Sequence, residues 1–210
     1  MKRLVVFGDS WPAGAELDNP SQYCFPTLIG NTLGLVIDNQ SQPATSADQA
    51  VLRFLNYDLT DCGVLFCFTS YSRYVRFEKE QEFEIHPRNK DLASLNYYTQ
   101  IYSDELGKFN FLKNILVVQG VCKSSNIPVY CVTNWNDIPK HGLIDPDIFY
   151  KKSLFEILGM VNVTTESGNN SNFGQQVFSN KQYIRPNVGH PNIAGHKLIA
   201  EELASWINSQ

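Results

Sequence analysis

The sequence predicts an α/β protein, a three-layer α/β/α sandwich built on a parallel sheet of about five strands. Short apolar runs of β character alternate with segments of helical periodicity, the order expected when crossover helices join parallel strands. The chain has 210 residues, 43% hydrophobic and 18% charged, enough for one sizeable core. It carries no internal repeat and no low-complexity linker, so residues 1–210 read as a single domain.

The first run, Leu4 to Phe7, is short and wholly apolar, as a strand buried on both faces should be. Tyr23 to Leu33 reads as the first crossover helix, compatible with Pro26 only if the proline lies in its first turn. Leu35 to Ile37 is the second run. Ser46-Ala47-Asp48-Gln49 follows as a helix start with a serine cap and a glutamine three residues on. Val51, Leu52, Phe54 and Leu55 then supply the apolar face. Val64 to Phe68 is the third run and Val129 to Val132 the fourth, with Pro128 tolerated at its entrance. Met160 to Val163 is a weaker fifth.

Between the third and fourth runs the pattern changes. Residues 71–90 form an excursion, aromatic and charged without a clean period from Tyr71 to Arg88, which reads as a hairpin or lid. Asp91 to Ser125 is helical in character with a break expected near Gly107, and Ile148 to Leu158 reads as a short helix. The last helix is expected to begin around Pro191, with Ile199, Leu203 and Trp206 on one face.

Composition narrows the functions available. A net charge of -4 with scattered Lys and Arg argues against nucleic-acid binding, which needs clustered cations to replace counterions. The five cysteines have no paired metal-ligand spacing; Cys67 and Cys131 fall inside strand-like runs, where a thiol acts as a small buried hydrophobe. No histidine pair has ligand spacing and no glycine cluster forms a phosphate loop, so no metal and no cofactor are expected. No apolar run approaches the roughly 20 residues that span a bilayer, and the segment before Gly8 is too short for a signal peptide. A cytoplasmic location is therefore expected, with a small molecule as partner; oligomeric state is not legible.

Two motifs carry chemistry. Gly8-Asp9-Ser10-Trp11 follows the first run directly, which places the Ser10 hydroxyl beyond the carboxyl edge of the sheet, where open α/β sheets keep their ligands. Asn187-Val188-Gly189-His190-Pro191-Asn192 precedes the final helix and offers a base at a turn. Asp9 and Ser10 also suit a simple helix cap. His86, His141 and His196 read as surface or packing residues.

Together these end blocks resemble the SGNH/GDSL hydrolase family, whose nucleophile lies in an N-terminal Gly-Asp-Ser block and whose histidine lies in a C-terminal Asp-x-x-His-Pro block. The resemblance implies a flavodoxin-like fold of SGNH hydrolase type and a serine esterase or acylhydrolase acting on a small-molecule ester, a small acyl or carbohydrate ester among the candidates. It implies Ser10 as nucleophile, His190 as general base and Asn187 as the group orienting His190, where the family carries aspartate. The implied oxyanion hole comprises the Ser10 and Ala44 N–H groups and Ser70, with Ala44 at a family glycine and Ser70 at a family asparagine. The methyl of Ala44 is harmless provided its φ is negative. Trp11, Arg73 and Trp135 are candidate substrate-binding residues, with packing as the alternative for Trp135 and a structural ion pair for Arg73. Asn187 and Ser70 also motivate a competing reading, a binding or interaction protein that keeps the scaffold without turnover.

Overall fold

The computed structural model describes residues 1–78, 81–85, 91–134, 138, 140–160, 182–185 and 189–210, with the backbone alone at 76–78 and 81–84. Four parallel strands, β1 (Arg3–Phe7), β2 (Val36–Asn39), β3 (Cys62–Phe68) and β6 (Val129–Thr133), form a sheet in the order β2-β1-β3-β6. The register pairs Val5 with Val64 and Phe66 with Cys131. A fifth parallel contact lies at Phe149, which bridges Cys131, while the Tyr150 amide donates to the Cys131 carbonyl at 2.8 Å. The fifth strand expected at Met160 to Val163 is not supported at its first residue: Met160 is buried but unpaired in a strand, and 161–163 lie outside the described residues.

Successive side chains of a strand point to opposite faces, and each face of this sheet has its own core. Leu4, Val6, Leu65, Cys67 and Val132 pack against α3 (Phe25–Leu33) and α8 (Ile193–Ser209). Val5, Phe7, Val64, Phe66 and Phe68 pack against α4 (Ala47–Leu55) and α6 (Asp104–Ser124). This is the expected three-layer sandwich. All five cysteines are free and buried, and burial pushes the Cys67 and Cys131 thiols well up, so both remain protonated hydrophobes.

The first crossover divides into α2 (Pro20–Tyr23) and α3, with Pro26 in the first turn of α3 as its missing N–H requires. Ser46 and Gln49 form a reciprocal capping box on α4. Its buried stripe is Ala47, Ala50, Val51 and Phe54, so Leu55 is left exposed, contrary to expectation.

The excursion after β3 is an antiparallel hairpin, β4 (Tyr74–Glu78) against β5 (Gln81–Ile85). Its base is pinned by Tyr98, whose hydroxyl donates to the Ser72 and Ile85 carbonyls, and by Tyr74 stacked on Tyr97 at 5.1 Å. The break expected near Gly107 falls earlier. α5 (Leu92–Asn96) continues into a π-helical turn, Tyr97–Ile101, and α6 begins afresh after Ser103, whose hydroxyl accepts from the Leu106 amide. Gly107 is inside α6 because a Cβ there would meet Tyr102 and Tyr71 at 2.8 Å, making it a close-packing glycine rather than a breaker.

Two other boundaries move for similar reasons. Ile148 to Leu158 is not one helix: a 3-10 turn (Pro146–Ile148) and α7 (Leu154–Ile157) flank Phe149, which the sheet claims. Pro191 is not the first residue of α8; it bridges Ile184, and Asn192 caps the helix through the Gly195 amide at 3.0 Å.

Candidate active site

The strand order reverses direction between β1 and β3, and the crevice beyond their carboxyl ends is where such sheets bind ligands. Ser10 follows β1 there as the first residue of α1 (Ser10–Ala13). Gly8 lets the chain turn so sharply: a Cβ at this position would lie 2.6 Å from Pro12 and 2.9 Å from Cys67. Asp9 caps α1 by accepting from the Trp11 amide at 3.1 Å, as the capping reading of this motif expects.

His190 arrives from the other end of the chain. Its carbonyl accepts from the Arg185 amide at 2.8 Å, the Gly189 amide donates to the Arg185 carbonyl at 3.2 Å, and Gly189 takes a φ of +74. Gly195 allows α8 to seat this loop, since a Cβ would strike the Tyr183 carbonyl at 2.4 Å. The outcome is a contact of 3.0 Å between His190 Nε2 and Ser10 Oγ, residues 180 positions apart. Burial holds the His190 imidazole below its ordinary pKa, against the attraction of Asp9 and Glu16 and with the repulsion of Arg73 and Arg185. It is thus a neutral acceptor near pH 7. His190 Nδ1 is buried and meets no hydrogen-bond partner among the described residues.

Asp9 ties the site together. Fully buried, it accepts from the Thr69 hydroxyl at 2.6 Å and, through both oxygens, from Asn134 Nδ2 at 3.0 Å, with the Arg73 guanidinium 3.6 Å away. Thr69 directly follows β3 and Asn134 directly follows β6, so one carboxylate ties together the exits of three strands. Neither Thr69 nor Asn134 stands out in the sequence as a site residue. The available signal was a polar residue directly after each apolar run.

The remaining expected residues divide. Arg73 makes the structural ion pair with Asp9 and also donates to the Thr45 carbonyl at 3.4 Å. Trp11 is 2% exposed and stacked on Phe155, so it belongs to the core instead of a substrate wall; the short α1 turns the indole inward onto α7. Ser70 Oγ is 2.7 Å from Ser72 Oγ and accepts from the Ser72 amide, which engages it within its own turn. Asn187 and Trp135 lie outside the described residues, as does His86. His141 is exposed and His196 is buried, stacked on Phe25, in line with surface and packing roles.

Ala44 departs from expectation. Its φ is +62, the left-handed region, so the condition for a harmless methyl is not met. The turn is held on both sides, by the Gln42 amide donating to the Gly8 carbonyl at 3.1 Å and by Arg73 on Thr45. Ala44→Gly is expected to stabilise the fold by about 0.5–1 kcal/mol, raising Tm by roughly 1–4 °C in a thermal melt.

A surface depression of about 560 Å³ beside Tyr150, Glu202 and Trp206 includes neither Ser10 nor His190. Among the described residues no group of three or more metal-ligating side chains converges, and no helix is long and apolar enough to cross a membrane.

No family model and no curated protein matches the sequence. Solved structures do. A member of the lipolytic protein G-D-S-L family from Veillonella parvula DSM 2008 superposes with a TM-score of 0.55 at 11% identity, covering 100% of both chains. A G-D-S-L family protein from Desulfitobacterium hafniense DCB-2 gives 0.55 at 14% identity over 98% of this chain and 99% of that one. The fold is the SGNH/GDSL hydrolase fold. A third structure with this fold, the psychrotrophic esterase EstA from Pseudoalteromonas sp. inhibited by monoethylphosphonate, gives 0.51 at 13% identity over 100% and 98%. At such identities it is the SGNH/GDSL architecture that is shared.

Proposed function

We propose that the chain is a divergent SGNH/GDSL serine hydrolase that cleaves a small-molecule ester through a Ser10 acyl-enzyme. The observation that carries this reading is the 3.0 Å contact between His190 Nε2 and Ser10 Oγ, within the reach a general base needs. His190 takes the hydroxyl proton as Oγ attacks the ester carbonyl carbon. The carbonyl electrons move to oxygen, and the Ser10 and Ala44 N–H groups, with Ser70, are assigned to hold that oxyanion. Collapse breaks the bond to the leaving alkoxide, which takes from His190 the proton that came from Ser10 and departs as the alcohol. Water, deprotonated by His190, then attacks the acyl carbon; the bond to Ser10 Oγ breaks, Oγ takes the proton back from His190, and the acid leaves. Asn187 is assigned to orient the ring; its side-chain carbonyl accepts a hydrogen bond but supplies no charge.

The deciding experiment is labelling with a fluorophosphonate probe alongside turnover of para-nitrophenyl acetate. Covalent modification mapped to Ser10 supports the reading, and no labelling between pH 6 and 9 removes it. Because burial lowers the His190 pKa, kcat/KM is expected to fall on acidification with a midpoint below about 6.5, the ordinary histidine value, and to be level above it. A midpoint above that value would mean that a different group gates the reaction.

The second reading is a binding protein without turnover. One observation favours it: the Ser70 hydroxyl is engaged with Ser72. Such a protein would bind an ester or its acid without consuming it, which calorimetry would register as reversible heat with no product.

A further inference from the structure

We propose that Asp9 is a positioning residue that supplies to His190 the negative charge position 187 lacks. The proposal rests on the reading of Ser10 and His190 as nucleophile and base. When His190 takes the serine proton it becomes a half-buried cation, and a buried cation needs a counter-charge nearby. Asn187 is neutral. The charged groups acting on His190 are Asp9 and Glu16 from the nucleophile loop, Arg73 from the turn after β3 and Arg185 from its own loop; His196 of α8 is its coupled neighbour. Glu16 is exposed, and water screens it. Arg185 is drawn toward the exposed Asp18 at 3.7 Å.

Asp9 differs from all of these. It is fully buried, it adjoins the residue that His190 touches, and its hydrogen-bond and ion-pair partners among the described residues are donors: the Trp11 amide, the Thr69 hydroxyl, Asn134 Nδ2 and Arg73. A set made only of donors suits a carboxylate and holds it in place before the reaction begins, so its field needs no reorganisation. Arg73 offsets part of that charge, yet the pull of Asp9 on the His190 proton exceeds the push of Arg73.

The test compares wild type, Asp9→Asn, Asn187→Asp and the pair, by imidazole NMR titration of His190 and by turnover of para-nitrophenyl acetate. Asp9→Asn is expected to lower the His190 midpoint and to cut turnover by about tenfold or more. A purely structural role would leave the midpoint in place. Asn187→Asp is expected to give a larger gain in the Asp9→Asn background than in wild type. Equal gains, or an unmoved midpoint, overturn the proposal. Should Asp9→Asn not fold, Asp9→Asn/Thr69→Val removes the hydroxyl donor that would oppose the new amide. Asn187→Asp alone is decisive as well: a gain below roughly a hundredfold supports Asp9, and one near the 10⁴-fold seen where a triad carboxylate is the sole counter-charge overturns it. If wild type turns over no ester, the hydrolase reading fails, while the His190 titration still decides the role of Asp9.

Discussion

Replacing Ser10 by alanine is expected to lower ester turnover by about 10⁴-fold or more and to abolish fluorophosphonate labelling. The Oγ removed is the atom 3.0 Å from His190 Nε2, and a methyl can neither attack nor give up a proton. His190→Ala is expected to cost about as much, because a serine without its base is a weak nucleophile near neutral pH. The double variant should be scarcely worse than either single one, since the two groups act as a unit, and this non-additivity separates shared chemistry from two independent structural defects. Steady-state kinetics on the three variants, with thermal melts to confirm folding, provide the check. Multiplicative losses in the double variant would mean that the contact is incidental.

Acidification is expected to destabilise the protein through His196, the second large effect. This histidine is fully buried against Phe25, its Nδ1 accepts from the Phe25 amide at 3.2 Å, and burial pushes its pKa down to about 3, with His190 adding to the shift. In the unfolded chain the same group protonates near 6.5. Between these two values the unfolded state binds the extra proton, so stability is present above about pH 6.5 and is lost as pH falls toward 3. The loss is about 1.4 kcal/mol per pH unit, or roughly 2 kcal/mol between pH 7 and 5. Urea unfolding at those two pH values measures it. His196→Asn, which keeps an acceptor for the Phe25 amide, should remove that part of the pH dependence whatever its effect on stability at pH 7. An unchanged slope would show that His196 titrates normally in the fold.

The elements that were legible share a physical cause. β1 and β3 could be read because a parallel strand buried on both faces must be apolar throughout, as Val64 to Phe68 is, whereas the edge strand β2 is largely unburied and runs past the expected Ile37 into Asp38 and Asn39. The α4 capping box was legible because Ser46 and Gln49 satisfy neighbouring backbone groups, a purely local matter. Where reading failed, a distant partner had intervened. Gly107 looks like a helix breaker until Tyr71 and Tyr102 are seen pressed against it. Phe149 looks helical until Cys131 pairs with it. Trp11 looks available to a ligand until Phe155 covers it.

The same division runs through the site. The resemblance of the Gly-Asp-Ser and Gly-His-Pro blocks to the SGNH/GDSL pattern nominated Ser10 and His190, and such blocks are legible because each is written within a few consecutive residues. Tertiary structure alone decided that these groups, from opposite ends of the chain, meet at 3.0 Å, that Ala44 takes a left-handed conformation, and that Asp9 gathers Thr69, Asn134 and Arg73. Turns and caps are settled between residues a few positions apart and so are written locally. The environment of a buried charge is settled by whichever strand ends the sheet brings beside it, and that follows only from how the whole chain packs.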